Sequence, residues 1–156
     1  PDMTVGDNLI MKNFNSKVFR RWIFQDRAAI RKNATAKIDQ FAIKAGPDGN
    51  PVRYLSGGNI QKVIIARELS EKPAVLVALY PTRGLDIGSA EYVHKVIIDG
   101  ANQGMSTILI SEDLDELLKL SDEIVVMFRG RLVGCVDPQT TTREEIGLLM
   151  SGEVQT

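Results

Sequence analysis

The stretch Leu55-Ser56-Gly57-Gly58-Asn59-Ile60-Gln61-Lys62 sets a hydroxyl and two glycines where a loop hands over to an apolar-periodic helix. The first four N–H groups of a helix have no partner inside it, and the aligned peptide dipoles add partial positive charge. A phosphate can therefore be held there without a side-chain cation. Gly57 and Gly58 allow close backbone approach. Ser56 stands at the N-cap position, where two roles are open: capping its own helix, or meeting an anion. Ser-Gly-Gly is also common turn chemistry, so these residues alone do not decide between them.

Other chemistry-bearing residue types are sparse. His94, the one histidine, has no Cys, Asp or His at ligand spacing, which predicts a surface or packing role. Cys135, the one cysteine, excludes an internal disulfide and reads as a small apolar residue at a strand edge. The pattern Gly-x-x-x-x-Gly-Lys-Ser/Thr, whose backbone cradles a triphosphate, does not occur in the 156 residues.

The elements that must position these groups follow from periodicity. Residues 1–54 read as helical and polar, with Thr4 capping a short helix and a longer helix over about 26–42. The longer helix has Ala29, Ile30, Ala34, Ile38 and Phe41 on one stripe and Arg27, Arg31, Lys32 and Lys37 elsewhere. Phe14 to Trp22 mixes aromatics with Lys17, Arg20 and Arg21. The run Gly46-Pro47-Asp48-Gly49-Asn50-Pro51 cannot continue a helix and delivers the chain to the Ser-Gly-Gly stretch. Beyond it, Ile60, Val63, Ile64 and Leu69 predict a helix, and residues 74–79 predict a buried strand. Asp86 can cap a helix to about Gln103 with Ala90, Val93, Val96 and Ile97 inward. A second buried strand is expected over 107–110 and a short helix over about 114–120. Two strands, 123–128 and 131–136, follow, joined through Arg129-Gly130, and then a terminal helix with Thr-x-x-Glu capping chemistry. Strand and helix alternate, which implies an α/β fold with a partly parallel sheet.

Composition sets bounds. With 44% hydrophobic and 25% charged residues the chain can bury a core. Its net charge of −1 gives no general attraction to nucleic acid or anionic lipid, so any such binding must be local. No apolar run approaches the roughly 20 residues that span a bilayer, so action at a membrane is expected to go through a partner. The chain opens on Pro1, and the expectation is a piece of something longer.

The order of elements carries a resemblance. Leu55-Ser56-Gly57-Gly58 with Gln61-Lys62 and Ala66-Arg67-x-Leu69, then a helix, an apolar strand and Pro81-Thr82-x-Gly84-Leu85-Asp86, resembles the nucleotide-binding domain of ABC transporters. The likeness runs from about Met3 to about Asp137 and is greatest to the second ATPase half of fused sugar or nucleoside importers. It implies a truncated P-loop NTPase fold: a helical subdomain with the signature helix over 1–72, the C-terminal part of the α/β core over 73–137, and a tail over 138–156. The missing phosphate loop lies upstream in the family.

The resemblance also implies roles. Ser56, Gly57, Gly58 and Gln61 would meet an ATP held by a second ATPase domain, and Asp86 matches the aspartate of the family's D-loop. The family's strand ends in an Mg²⁺-holding Asp and a catalytic Glu; here those positions are Leu79 and Tyr80. Leucine offers no ligand atom, and an unperturbed phenol has a pKa near about 10. The family's switch histidine falls at Glu112, whose charge would repel a phosphate. Asn59 stands where the family usually has Gln.

This half is therefore expected to have a degenerate catalytic site and to complete its partner's. ATP and Mg²⁺ are expected cofactors of the intact protein, with none bound to this stretch alone. The expected partners are transmembrane permease subunits, contacted through the helical subdomain, and indirectly a substrate-binding protein, at the cytoplasmic face of a membrane. No nucleic acid is expected. Two alternatives stand beside this: a soluble ABC-type ATPase acting on ribosomes or nucleic acid, which would be expected to keep both carboxylates, and a non-catalytic regulatory module.

Overall fold

A computed structural model describes residues 2–46 and 50–152; Pro47, Asp48 and Gly49 of the expected Gly/Pro turn lie outside the described residues. The chain divides into two compact units. One holds the residues up to Leu76 together with Pro81–Ser106, and the other Val77–Tyr80 together with the chain from Thr107 onward.

In the first unit, α1 (Val5–Leu9) is capped by Thr4, and α2 (Arg27–Gln40) by Asp26. Between them the expected helical pattern gives way to turns and a small antiparallel hairpin, β1 (Arg20–Arg21) and β2 (Phe24–Gln25). Trp22, Ile23 and Phe24 are aromatic or β-branched and follow two arginines without an apolar helical stripe, so strand pairing wins there. The chain passes a 3₁₀ turn over Val52–Tyr54 into α3 (Gly57–Glu68). Val5, Leu9, Ala34, Phe41, Ile43, Val63 and Ala66 bury each other, so α1, α2 and α3 share one core. From the expected stripe of α3, Val63 is buried; Ala66 joins it. After β3 (Val75–Leu79) and its turn, α4 (Ile87–Asn102) buries Val93 and Ile97.

β4 (Ser106–Ile110) neighbours β3. Ser106 N donates to Ala74 O (2.9 Å) and Tyr80 N to Ile110 O (2.8 Å). The partners advance together along both strands, so the pair is parallel, with Val77 beside Ile108 and Leu79 beside Ile110 on one face. The expectation that both strands are buried is corrected: Val77 is 61% and Ile108 56% exposed.

In the second unit, α5 (Leu114–Leu120), β5 (Ile124–Phe128), β6 (Arg131–Val136) and α6 (Arg143–Ser151) follow. β5 and β6 form an antiparallel hairpin through Arg129 (φ 45°) and Gly130 (φ 77°), the two positive-φ positions of a tight hairpin turn. Ile124, Val126 and Ile146 make this unit's core.

Candidate functional site

Ser56 has extended backbone (φ −65°, ψ 157°) and its carbonyl accepts the first helical bond, from Ile60 N at 2.9 Å, so it is the N-cap of α3. Its side chain does not cap. Instead Ser56 Oγ accepts from Asn59 Nδ2 at 2.8 Å, while Asn59 Oδ1 accepts from Lys44 N at 2.7 Å. A backbone N–H can only donate, so the Lys44 bond fixes which end of the Asn59 amide faces the serine. Each of the other α-helices has its first turn closed by its N-cap side chain: Thr4 on Asp7 N, Asp26 on Ala28 and Ala29 N, Asp86 on Ser89 N, Asp113 on Asp115 and Glu116 N, and Thr142 on Glu145 N. α3 differs, and Ser56 and Gly57 are exposed. Its first-turn amides and the positive end of its dipole face outward with a hydroxyl beside them.

Gly58 is constrained from behind. A Cβ placed on it would lie 2.2 Å from Ser89 Oγ, 2.9 Å from Ser89 Cβ and 3.6 Å from Asp86 Oδ2, whereas one on Gly57 would meet nothing within 4 Å. Asp86 is held by the same neighbour: Ser89 N and Ser89 Oγ donate to its two oxygens at 3.0 and 2.8 Å. These bonds, the hydroxyl's first, keep the Asp86 carboxyl below the usual aspartate range. Gln61, expected on the nucleotide, is already engaged: its Nε2 donates to the Pro81 carbonyl at 2.9 Å. Its place in this unit is a tie between α3 and the turn after β3. Thus Ser56, Gly57, Gly58 and Asp86 come together, with Gln61 serving as a brace.

Leu79, Tyr80 and Glu112 gather elsewhere, in the second unit. The Tyr80–Ile110 bond aligns the C-terminal ends of β3 and β4, so Glu112, two residues past β4, shares that end with Leu79 and Tyr80. In an open parallel sheet this is where ligands bind. The donor set does not fit Mg²⁺: Leu79 offers no oxygen, Tyr80 offers a phenol, and only Glu112 is a carboxylate. Among the described residues no group of His, Cys, Asp or Glu comes together that could hold a metal ion. Cys135 is exposed on β6, and a hydrogen bond with Glu123 raises its thiol above the usual range. Sequence reasoning marked Asn59 only as a departure and passed over Ser89; both act through contacts that no local pattern announces.

In sequence and fold the chain is similar to part of an ABC-type nucleotide-binding domain. It superposes on an ATP-binding cassette of an ABC transporter in its ADP conformation with a TM-score of 0.67 at 25% identity, covering 96% of this chain and 59% of that one. An inward-facing ABC transporter matches in fold with a TM-score of 0.75 at 16% identity, over 97% of this chain and 59% of that one. Within the class, it is similar to the guanosine import ATP-binding protein NupO of Bacillus subtilis, 38% identical over 99% of this chain and 30% of that protein. It is also similar to the nucleoside import ATP-binding protein NupA of Lactococcus lactis, 38% identical over 97% and 30%. A glucose import ATP-binding protein of Haloferax volcanii is 40% identical over 97% and 28%. The chain thus spans about three tenths of the length of the curated relatives it matches. No protein-family model matches it.

Proposed function

We propose that the chain is the signature-bearing part of the second ATPase half of an ABC-type importer for sugars or nucleosides, and that this half completes an ATP site held by another ATPase domain. The observation that carries the reading is the open N-terminus of α3, with its own N-cap hydroxyl turned off the helix amides by Asn59. The Ser56 hydroxyl and the amides of Gly57 and Gly58 would hold phosphate oxygens, and Asp86 with Ser89 sets where Gly58 stands. ATP, when bound, supplies the phosphoanhydride whose hydrolysis drives transport. Leu79 and Tyr80, at the positions of the Mg²⁺-holding and catalytic carboxylates, offer neither a Mg²⁺ ligand nor a base at neutral pH, so turnover is assigned to the partner's carboxylates and this half's own site is read as non-catalytic. The intact protein is then an ABC-type ATPase working on permease subunits and, through them, with a substrate-binding protein, as a peripheral protein at the cytoplasmic face of the membrane.

The test uses the intact protein with its permease. Ser56→Asp preserves an N-cap residue, so the helix is kept, but sets a carboxylate against the phosphate. ATP hydrolysis is expected to fall by about a hundredfold or more, the scale of losing one preorganised donor. Tyr80→Glu is expected to leave turnover close to the parent value. Undiminished hydrolysis in the Ser56→Asp protein sinks the reading.

A further inference from the structure

Between Asn8 and Gln25 the chain has no acidic residue and four basic ones, Lys12, Lys17, Arg20 and Arg21. Lys12 is engaged in an ion pair with Glu68. The other three are exposed and lie in the β1–β2 hairpin or shortly before it; in the hairpin Arg20 lies opposite Gln25 and Arg21 opposite Phe24. Its tip is apolar and protrudes: Trp22 is 92% exposed, Ile23 75%, Phe24 72% and nearby Val18 69%. Its base is fixed, since Phe19 is buried against Ile10 and Ile30 and Asp26 N donates to Phe19 O at 2.9 Å. Trp22 also stands at φ 63°, the left-handed region where a bulky residue is an outlier. Glycine would adopt that backbone without strain and expose no large ring. A bulky ring standing open to water on that backbone suits a contact outside the chain.

We propose that this hairpin is a membrane-surface contact, in which Trp22, Ile23 and Phe24 enter the headgroup region of an anionic bilayer while Lys17, Arg20 and Arg21 meet lipid phosphates. Tryptophan rings favour the headgroup level, where one edge is apolar and the other wet. Each basic residue near an anionic leaflet adds about 1 kcal/mol. A protruding apolar tip with a cationic collar suits a soft, deformable surface; a protein partner would have to supply a matching cleft. The chain-wide charge of −1 attracts no anionic surface, so the local patch has to act alone. No helix among the described residues is long and apolar enough to cross a membrane, so the contact is a surface one. It does not depend on the ATP reading.

Trp22 is the chain's only tryptophan and reports its own burial. The chain is titrated with vesicles of phosphatidylcholine, with and without phosphatidylglycerol. With the anionic vesicles, Trp22 emission is expected to shift to the blue and to be quenched by brominated acyl chains. Both effects are lost at about 1 M salt, where the Debye length falls to about 3 Å. Arg20→Gln with Arg21→Gln, both exposed, weakens partitioning about thirtyfold, the equivalent of about 1 kcal/mol for each of two residues. Trp22→Gly, followed by co-sedimentation, loses binding while melting no lower than the parent. The proposal is overturned by equal binding to both vesicle types or by undiminished binding of the arginine variant. A blue shift seen only when the vesicles carry a permease, which would make the tip a protein contact, overturns it as well.

Discussion

At the scale of single residues, Gly57 and Gly58 look interchangeable in the sequence and are not. Both leave room for a ligand. The structure adds a second reason for Gly58 alone, because its missing Cβ is the space that Ser89 fills. Gly58→Ala is therefore expected to cost about 1–3 kcal/mol, the usual range for overpacking, while Gly57→Ala stays within about 0.5 kcal/mol. Urea unfolding of the two variants decides this. Adding Ser89→Gly should restore part of the Gly58→Ala loss, since it removes both clashing atoms; equal midpoints for Gly57→Ala and Gly58→Ala would refute the contact. The motif was legible because it is local. The Ser89 contact was not, because it joins two helix starts that are far apart in sequence. The Gln61 bond to the carbonyl of Pro81 was not legible for the same reason.

At the scale of elements, caps separate helices that hold themselves from the one that is open. α6 has a full capping box: Glu145 N donates to Thr142 Oγ1 at 3.2 Å and Thr142 N to Glu145 Oε2 at 2.8 Å. The bond from Thr142 N, with that from the Thr141 hydroxyl, holds the Glu145 carboxyl below the ordinary glutamate range. A carboxyl lowered in the folded state stabilises above its unfolded pKa, and that contribution is lost as pH falls through the folded one. Thr142→Ala is expected to cost about 1 kcal/mol at neutral pH, and Ser56→Ala less than about 0.5 kcal/mol, because the serine caps nothing. Glu145→Gln should flatten part of the stability loss between about pH 5 and pH 3. Thermal melts of the three variants across that window check both statements; a Ser56→Ala loss equal to that of Thr142→Ala would show that the hydroxyl caps after all. The helices and the Arg129-Gly130 hairpin were legible because caps and turn residues are local signals. The β1–β2 hairpin was not, since two-residue strands are too short for any period to show.

At the scale of the whole molecule, the chain covers about three fifths of the single cassettes it superposes on and lacks a phosphate-cradling loop. Ligand stabilisation requires affinity for the folded form. MgATP at millimolar concentration is therefore expected to leave the melting temperature of this chain unchanged, and a clear rise would show that a nucleotide grip exists within it.

An apolar run of strand length reads as buried whether or not anything covers it, which is why the sequence could not show that Val77, Leu79, Ile108 and Ile110 are exposed. Four large apolar side chains on one face of neighbouring strands form the kind of contiguous patch that soluble proteins cover or use, and left open it drives association. Replacing Val77 and Ile108 by threonine keeps β-branched residues that suit a strand while adding a hydroxyl that water can satisfy. Val77→Thr with Ile108→Thr is expected to cut light scattering of the chain at high concentration and to lower its binding of a hydrophobic dye. The circular dichroism of both units should be unchanged. Substituting Val125, an exposed residue of β5, by threonine provides the control, because among the described residues β5 pairs with β6, in a different sheet. Should the control reduce scattering as much as the Val77/Ile108 pair does, the association is spread over all exposed apolar residues rather than set by the β3–β4 face.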